Sequence, residues 1–174
     1  LRLSNGDGIS INKKEAAKYY KIAADKGQMN AVYNYAVILY KGDGIASDKK
    51  ESAKYFKIAA DNGNINAIKN YALILLNCGI SNIDKSEAAK YLKMAADQND
   101  VISMYNFGMM LLNGDGIEVN QKEAAHYLKM AADQGHINAM HNYATLKLNG
   151  DEALIDKDEA AKYMKMAADQ GQVN

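Results

Sequence analysis

Ala31-Val32-Tyr33-Asn34-Tyr35-Ala36-Val37-Ile38-Leu39-Tyr40, then Gly42-Asp43-Gly44-Ile45, then Lys49 to Asp61, is the stretch that decides the fold. Two helical patterns flank a glycine-rich turn, and the whole arrangement returns: Glu15 recurs as Glu51, Glu87, Glu123 and Glu159, a spacing of 36 residues. In the first helix, called A, residues 32, 35, 36 and 39 share one face at helical spacing, and Ile68, Tyr71, Ala72 and Leu75 repeat it. In the second, B, the core face is Ser52, Phe56, Ala59 and Ala60, copied as Ala88, Leu92, Ala95 and Ala96. The other side of B carries Lys50, Lys54, Lys57 and Asp61 and reads as a solvated face with Lys57 and Asp61 at i,i+4. Helices this short need neighbours for stability, and the alanines let those neighbours approach.

The turns agree. Gly42 suits a left-handed helix terminus, Asp48 suits the N-cap of helix B and recurs as Asp84, Asn120 and Asp156, and Gly63 suits a tight turn into the next A helix. Asn99 stands where that glycine is expected, and asparagine tolerates positive φ next best. Proline and tryptophan are absent while alanine, lysine, methionine and leucine abound, so the class is all-α. A fixed period of this size marks a solenoid, whose units bury their apolar faces only by stacking. The 174 residues divide into a partial leading repeat at 1–28 and full repeats at 29–64, 65–100, 101–136 and 137–172. Both ends read as cut from a longer array, which leaves Tyr163, Met164 and Met166 partly bare and favours weak end-to-end self-association.

Twenty-one basic residues balance twenty-one acidic ones, so no long-range field draws the chain to nucleic acid or to an anionic membrane. Apolar runs are too short for a membrane-spanning helix. The single Cys78 forms no internal disulfide and fits a reducing compartment.

The order Ala-x-x-x-Tyr-Ala-x-x-Leu-x-x-Gly-x-Gly-Ile-x-x-Asp-x-x-x-Ser/Ala-Ala-x-Tyr-Phe/Leu-x-x-Ala-Ala-x-x-Gly, read from Ala31, resembles the Sel-1-like repeat, a relative of the tetratricopeptide repeat, over the whole chain. The resemblance implies a right-handed α-α superhelix of antiparallel helix pairs with the A helices on the concave face, and adaptors rather than enzymes. Two loops depart from the pattern: Cys78-Gly79-Ile80-Ser81 in repeat two, and Glu152-Ala153 in place of Gly44-Ile45 in repeat four.

On the A-helix face turned from the core, one register is constant: Asn34, Asn70, Asn106 and Asn142. Asparagine is a mediocre helix former. Its amide can pair with the backbone of an extended peptide, or it can bond between repeats and set their stacking; the recurrence fits both. Beside it run two variable registers, Tyr33, Lys69, Tyr105 and His141, and Val37, Leu73, Met109 and Thr145, a mixture of aromatic anchors and adaptable apolar groups suited to a protein interface. In a third register Tyr40 is followed by Leu76, Leu112 and Leu148, the leucines being expected to pack on the neighbouring A helix.

No catalytic constellation accompanies this surface. His126, a solvated residue by register, His136 and His141 lack metal-ligand spacing, and the Gly-Asp-Gly triplets lack what a phosphate or calcium loop requires. Asp97 and Asp100 read as solvated helix-end caps, and Cys78 as a substituted loop residue. The expectation is a non-catalytic, cofactor-free and metal-free scaffold that binds a protein or extended peptide segment along the A-helix face. A purely architectural spacer is the alternative. A hydrolase like the bacterial cysteine-rich proteins that resemble the family is a remote one, since their disulfide framework is absent.

Overall fold

The computed structural model describes residues 12–77 and 85–171. Among them nine α-helices follow one another: α1 (Lys13–Asp25), α2 (Met29–Lys41), α3 (Lys49–Asp61), α4 (Ile65–Asn77), α5 (Lys85–Ala96), α6 (Val101–Asn113), α7 (Gln121–Asp133), α8 (Ile137–Asn149) and α9 (Lys157–Gly171). The even-numbered helices are the A helices and the odd-numbered ones the B helices. Two compact units divide the chain, Leu1–Ile83 and Asp84–Asn174. In the first, α1 packs on α2, α2 on α3 and α3 on α4; in the second, each of α5 to α8 packs on its successor. Short connections between packed helices make neighbours antiparallel.

The expected core stripes are buried: Val32, Tyr35, Ala36 and Leu39 of α2, Ile68, Tyr71 and Ala72 of α4, Ser52, Phe56, Ala59 and Ala60 of α3, and Ala88, Leu92, Ala95 and Ala96 of α5. Leu75 departs and lies half-buried, because the last turn of α4 presents Ile74 inward in its place. In α8 the same register carries Lys147, whose ammonium lies 2.9 Å from the Glu159 carboxylate of α9.

Backbone geometry follows the turn chemistry. Gly27, Gly63 and Gly135 take positive φ between an odd helix and the next even one, and Asn99 takes φ 68° at the matching turn. Asp48, Asn120 and Asp156 accept the N–H groups of Glu51, Glu123 and Glu159 at 2.8–3.0 Å, so each sits where it was expected, and Asn12 caps α1 in the same way through the Glu15 N–H at 3.1 Å. Asp84 and the loop from Cys78 to Ser81 lie outside the described residues, as does the terminal Val173-Asn174.

Gly44 and Gly116 are needed for two reasons. Each has positive φ, and a Cβ would stand 2.5 Å from the Lys13 carbonyl carbon at Gly44 and 2.4 Å from the Lys85 Cβ at Gly116. These loops therefore press on the N-terminus of the preceding B helix. Asp43 pairs there with Lys13 at 2.6 Å, and Asp115 pairs with Lys85. In repeat four the pattern changes: Gly150 is extended (φ −76°, ψ −167°) and a 3-10 turn, Glu152–Leu154, follows. Gln121 replaces the lysine there, and its amide oxygen accepts the Asp151 N–H at 2.9 Å. The backbone bonds Asp48 to Leu39, Asn120 to Leu111 and Asp156 to Lys147 are all 2.9 Å, so helix B starts from the same place after either loop.

The expected bareness of Tyr163 is corrected. Its ring is 1% exposed, held edge-on to Tyr143 at 4.8 Å within α8 and α9, whereas Met164 and Met166 are half-buried.

Candidate protein-binding face

The constant and variable registers all reach the surface. Tyr33, Asn34 and Val37 on α2, Lys69, Asn70 and Leu73 on α4, and Tyr105, Asn106 and Met109 on α6 are half-buried; on α8 Asn142 is half-buried while His141 and Thr145 are exposed. None of these four helices contains an aspartate or glutamate, so the acidic residues of the chain belong to the B helices and the connections.

Two rungs of the asparagine register reach the preceding A helix. The Asn70 amide donates to the Tyr33 hydroxyl at 3.5 Å, and the Asn142 amide donates to the Tyr105 hydroxyl at 3.4 Å and to the Met109 sulfur at 3.0 Å. These are long or soft bonds. They tie the constant register to the first variable one, a link that the sequence registers alone do not display.

Between α2 and α4 the face opens into a groove of ≈ 320 Å³ with Tyr33, Val37, Asn70 and Leu73 on its walls and Phe56 and Ile74 beneath. Tyr33 lies edge-on to Phe56 with ring centres 5.8 Å apart. Lys41 and Tyr40 stand at the same groove, and Lys41 is the one charged side chain among its lining residues. In α6 the register of Val37 is filled by the longer Met109, which reaches Asn142. Tyr40, Leu76 and Leu148 are more than a third exposed and Leu112 is half-buried, so this register leaves apolar surface in contact with water.

The outer face of the B helices is exposed at Lys50, Lys54 and Asp61, as expected, and it also carries bonds between repeats. Lys57 is half-buried, with its ammonium 5.2 Å from the centre of the Tyr71 ring. Its counterparts form rungs between repeats: Lys21 bonds Asp25 at 2.7 Å and Tyr55 donates to Asp25 at 3.2 Å. Further along, Lys93 donates to the Tyr127 hydroxyl and that hydroxyl donates to Asp97, both at 2.6 Å. Lys129 bonds Asp133 and the Tyr163 hydroxyl, each at 2.8 Å, and Tyr163 donates to Asp133. The tyrosines also stand edge-on to A-helix rings, Tyr55 on Tyr35 at 4.9 Å and Tyr127 on Phe107 at 5.0 Å. Asp97 is thus an acceptor for a tyrosine one repeat away, not a cap. Its companion Asp100 does cap α6, accepting from the Ser103 N–H at 2.9 Å.

These rungs shift the acid-base behaviour of their members. The hydrogen bond from Lys129 to Asp133, with the Tyr163 hydroxyl, raises the Lys129 ammonium far above the usual lysine range. Burial, then the bond to Asp97, raises the Tyr127 phenol. In α8 and α9 burial pushes the Glu159 carboxyl up, but its bonds from Lys147 and Tyr143 outweigh that and leave it below the ordinary range. Burial also raises the Tyr143 phenol well above its ordinary value.

Asp100 belongs to a second register, otherwise missed in the sequence, that caps the A helices. Asn64 accepts the Ala67 N–H at 2.9 Å, Asp100 the Ser103 N–H, and the His136 Nδ1 the Ala139 N–H at 3.1 Å, whereas Gln28 makes no such side-chain bond. Accepting at Nδ1 requires a neutral imidazole, and burial lowers the His136 pKa below its ordinary value. The ring is stacked on Tyr105 with centres 4.5 Å apart. His126 is exposed, as its register requires. Among the described residues no group of three or more His, Cys, Asp or Glu side chains is placed to hold a metal, and no helix is long and apolar enough to cross a membrane.

The arrangement can be set against known proteins. The family model described as Sel1 repeat matches residues 1–28, 30–64, 67–100, 101–136 and 137–172. No curated protein matches the chain. Among solved structures, c5321, a protective antigen present in uropathogenic Escherichia coli strains and displaying an SLR fold, is similar over 98% of this chain at 18% identity and TM-score 0.88. The chain spans 36% of the length of that protein. A Sel1 repeat protein from Oxalobacter formigenes aligns over 97% of this chain and 69% of its own at 24% identity, with TM-score 0.81. Helicobacter pylori cysteine rich protein B aligns over 78% of this chain and 97% of its own at 22% identity, with TM-score 0.54. At these identities the likeness is one of fold, and it agrees with helix pairs repeated at a fixed register. From the five family matches, the chain belongs to the Sel1 repeat family, an all-α solenoid class whose members commonly serve as protein-interaction scaffolds.

Proposed function

We propose that this chain is a non-catalytic binding module that receives an extended segment of another protein along the A-helix face. The observation that carries the reading is the composition of that face. Half-buried amides at Asn34, Asn70, Asn106 and Asn142 alternate with Tyr33, Tyr105 and the variable residues Val37, Leu73 and Met109, and no carboxylate interrupts them. Amides offer a donor and an acceptor to a peptide backbone, and aromatic anchors lose little freedom on binding. Lys69, His141 and Thr145 complete the face and vary its charge and size from repeat to repeat.

A peptide-display selection against the whole chain, followed by hydrogen exchange of the complex, tests it. Enriched peptides should slow exchange along α2, α4 and α6, and a variant carrying Asn70→Ala, Asn106→Ala and Tyr105→Ser should lose them while keeping its circular dichroism. Protection confined to the B helices, with binding unchanged in that variant, would sink the proposal. The asparagine bonds to Tyr33 and Tyr105 favour a second role, alignment of successive A helices. In that case the asparagine substitutions alone lower the melting temperature and leave peptide affinity in the remaining folded protein unaltered.

A further inference from the structure

We propose that the groove between α2 and α4 docks one bulky apolar side chain of an acidic peptide segment, with a carboxylate next to that residue held by Lys41. The inference rests on the reading of the A-helix face as the binding face, and adds the chemical class of the partner.

Three observations carry it. The groove is open where its register partner is filled: Val37 is short and leaves ≈ 320 Å³ above Phe56 and Ile74, whereas Met109 spans to Asn142 in the other unit. Its interior is apolar, with the polar pair Asn70 and Tyr33 at one wall, so it suits a side chain whose own backbone finds an amide beside it. Its charge has one sign. Lys41 is exposed and is the sole charged residue among the lining, and neither α2 nor α4 has a carboxylate. The nearest acid in sequence, Asp43, is already paired with Lys13 at 2.6 Å. In the register of Lys41 the other A helices have Asn77, Asn113 and Asn149, so the charge is particular to this groove. Complementary charge selects partners and register more than it adds affinity. A basic segment would meet Lys41 without an acid to offset it, and a wholly polar one would leave the groove unfilled.

The probes are three fluorescein-labelled ten-residue peptides, each with one phenylalanine, flanked by aspartates, by serines or by lysines, titrated against the whole chain by fluorescence anisotropy. The aspartate peptide should bind most tightly and the lysine peptide about tenfold or more weakly, with the gap narrowing at high salt. Lys41→Glu should reduce or reverse that order. Val37→Met, which copies a residue already accommodated at this register in α6, should weaken the aspartate peptide by about tenfold or more, with circular dichroism and melting unchanged. Failure of the aspartate peptide to bind, equal binding of all three, or full binding by Val37→Met overturns the proposal. If the order is lost but Asn106→Ala with Tyr105→Ser still abolishes binding, the groove assignment fails and the binding-face reading survives. Binding that persists through both sets of variants overturns both.

Discussion

The two outward faces of each repeat recur with the same period and use their polar groups differently. On the B helices a lysine and an aspartate of one repeat meet a tyrosine hydroxyl of the next, in bonds of 2.6–3.2 Å. On the A helices the corresponding contacts between repeats are long, 3.4–3.5 Å from asparagine amide to tyrosine hydroxyl, and the flanking registers vary in size and charge. Recurrence by itself is therefore not a sign of binding. The more regular face is the one engaged internally, and the looser face has polar groups that can exchange one partner for another.

The comparison can be broken by substitution. The largest effect is expected at the loop that joins the two faces: Gly116→Ala forces a left-handed alanine against Lys85 and should cost about 3 kcal/mol, while Gly27→Ala, with nothing nearby to strike, should cost only about 1 kcal/mol. Chemical denaturation of both variants measures the gap, and equal losses would mean that the loop does not press on the helix end. Next, Tyr163→Phe removes the hydroxyl shared by Lys129 and Asp133 and should lower stability by about 1–2 kcal/mol, a figure discounted for the partial exposure of both charged partners. Tyr105→Phe, its A-face control, should change stability by less than about 0.5 kcal/mol, since its hydroxyl meets only a long amide contact. Comparable losses from the two would erase the distinction between the faces.

A smaller effect of opposite sign concerns the inner side of α6. The Ser103 hydroxyl is buried with no partner, at a register where the other A helices have Ala31, Ala67 and Ala139. Ser103→Ala should raise the denaturation midpoint, corresponding to a gain of about 1 kcal/mol in unfolding free energy. The smallest is a pH effect at His136. Burial holds its folded pKa below the ordinary 6.5, so its contribution is complete above that value; as pH falls further, the unfolded chain takes the proton first and the contribution is lost down to the folded pKa. Melting of wild type should drop more than that of His136→Asn between about pH 7 and pH 5, because asparagine caps without titrating. Parallel melting curves would show that the imidazole cap contributes nothing.

Much of the fold was legible because it is written in local signals. The helix period places Val32, Tyr35, Ala36 and Leu39 inward, and Asn99 standing in for glycine marks a turn that only positive φ explains. The B-face rungs were hidden, since Lys129 and Tyr163 are 34 residues apart and within one repeat each is just a polar helix residue. Aligned registers held the clue: Tyr55, Tyr127 and Tyr163 recur in step with Lys21, Lys93 and Lys129. Lys147 was overlooked for the converse reason. It breaks a register held by Leu39, Leu75 and Leu111, and the compensating Glu159 lies on the next helix. The groove beside Val37 needed three dimensions, because its floor, Phe56, comes from a B helix.

Each B-face rung draws its lysine and aspartate from one period and its tyrosine from the following one. Removal or duplication of a whole 36-residue block then restores the same triplet across the new junction, wherever within the block the crossover falls. Recombination between copies can lengthen or shorten such an array without stranding a charge, and a crossover out of step by even a few residues cannot.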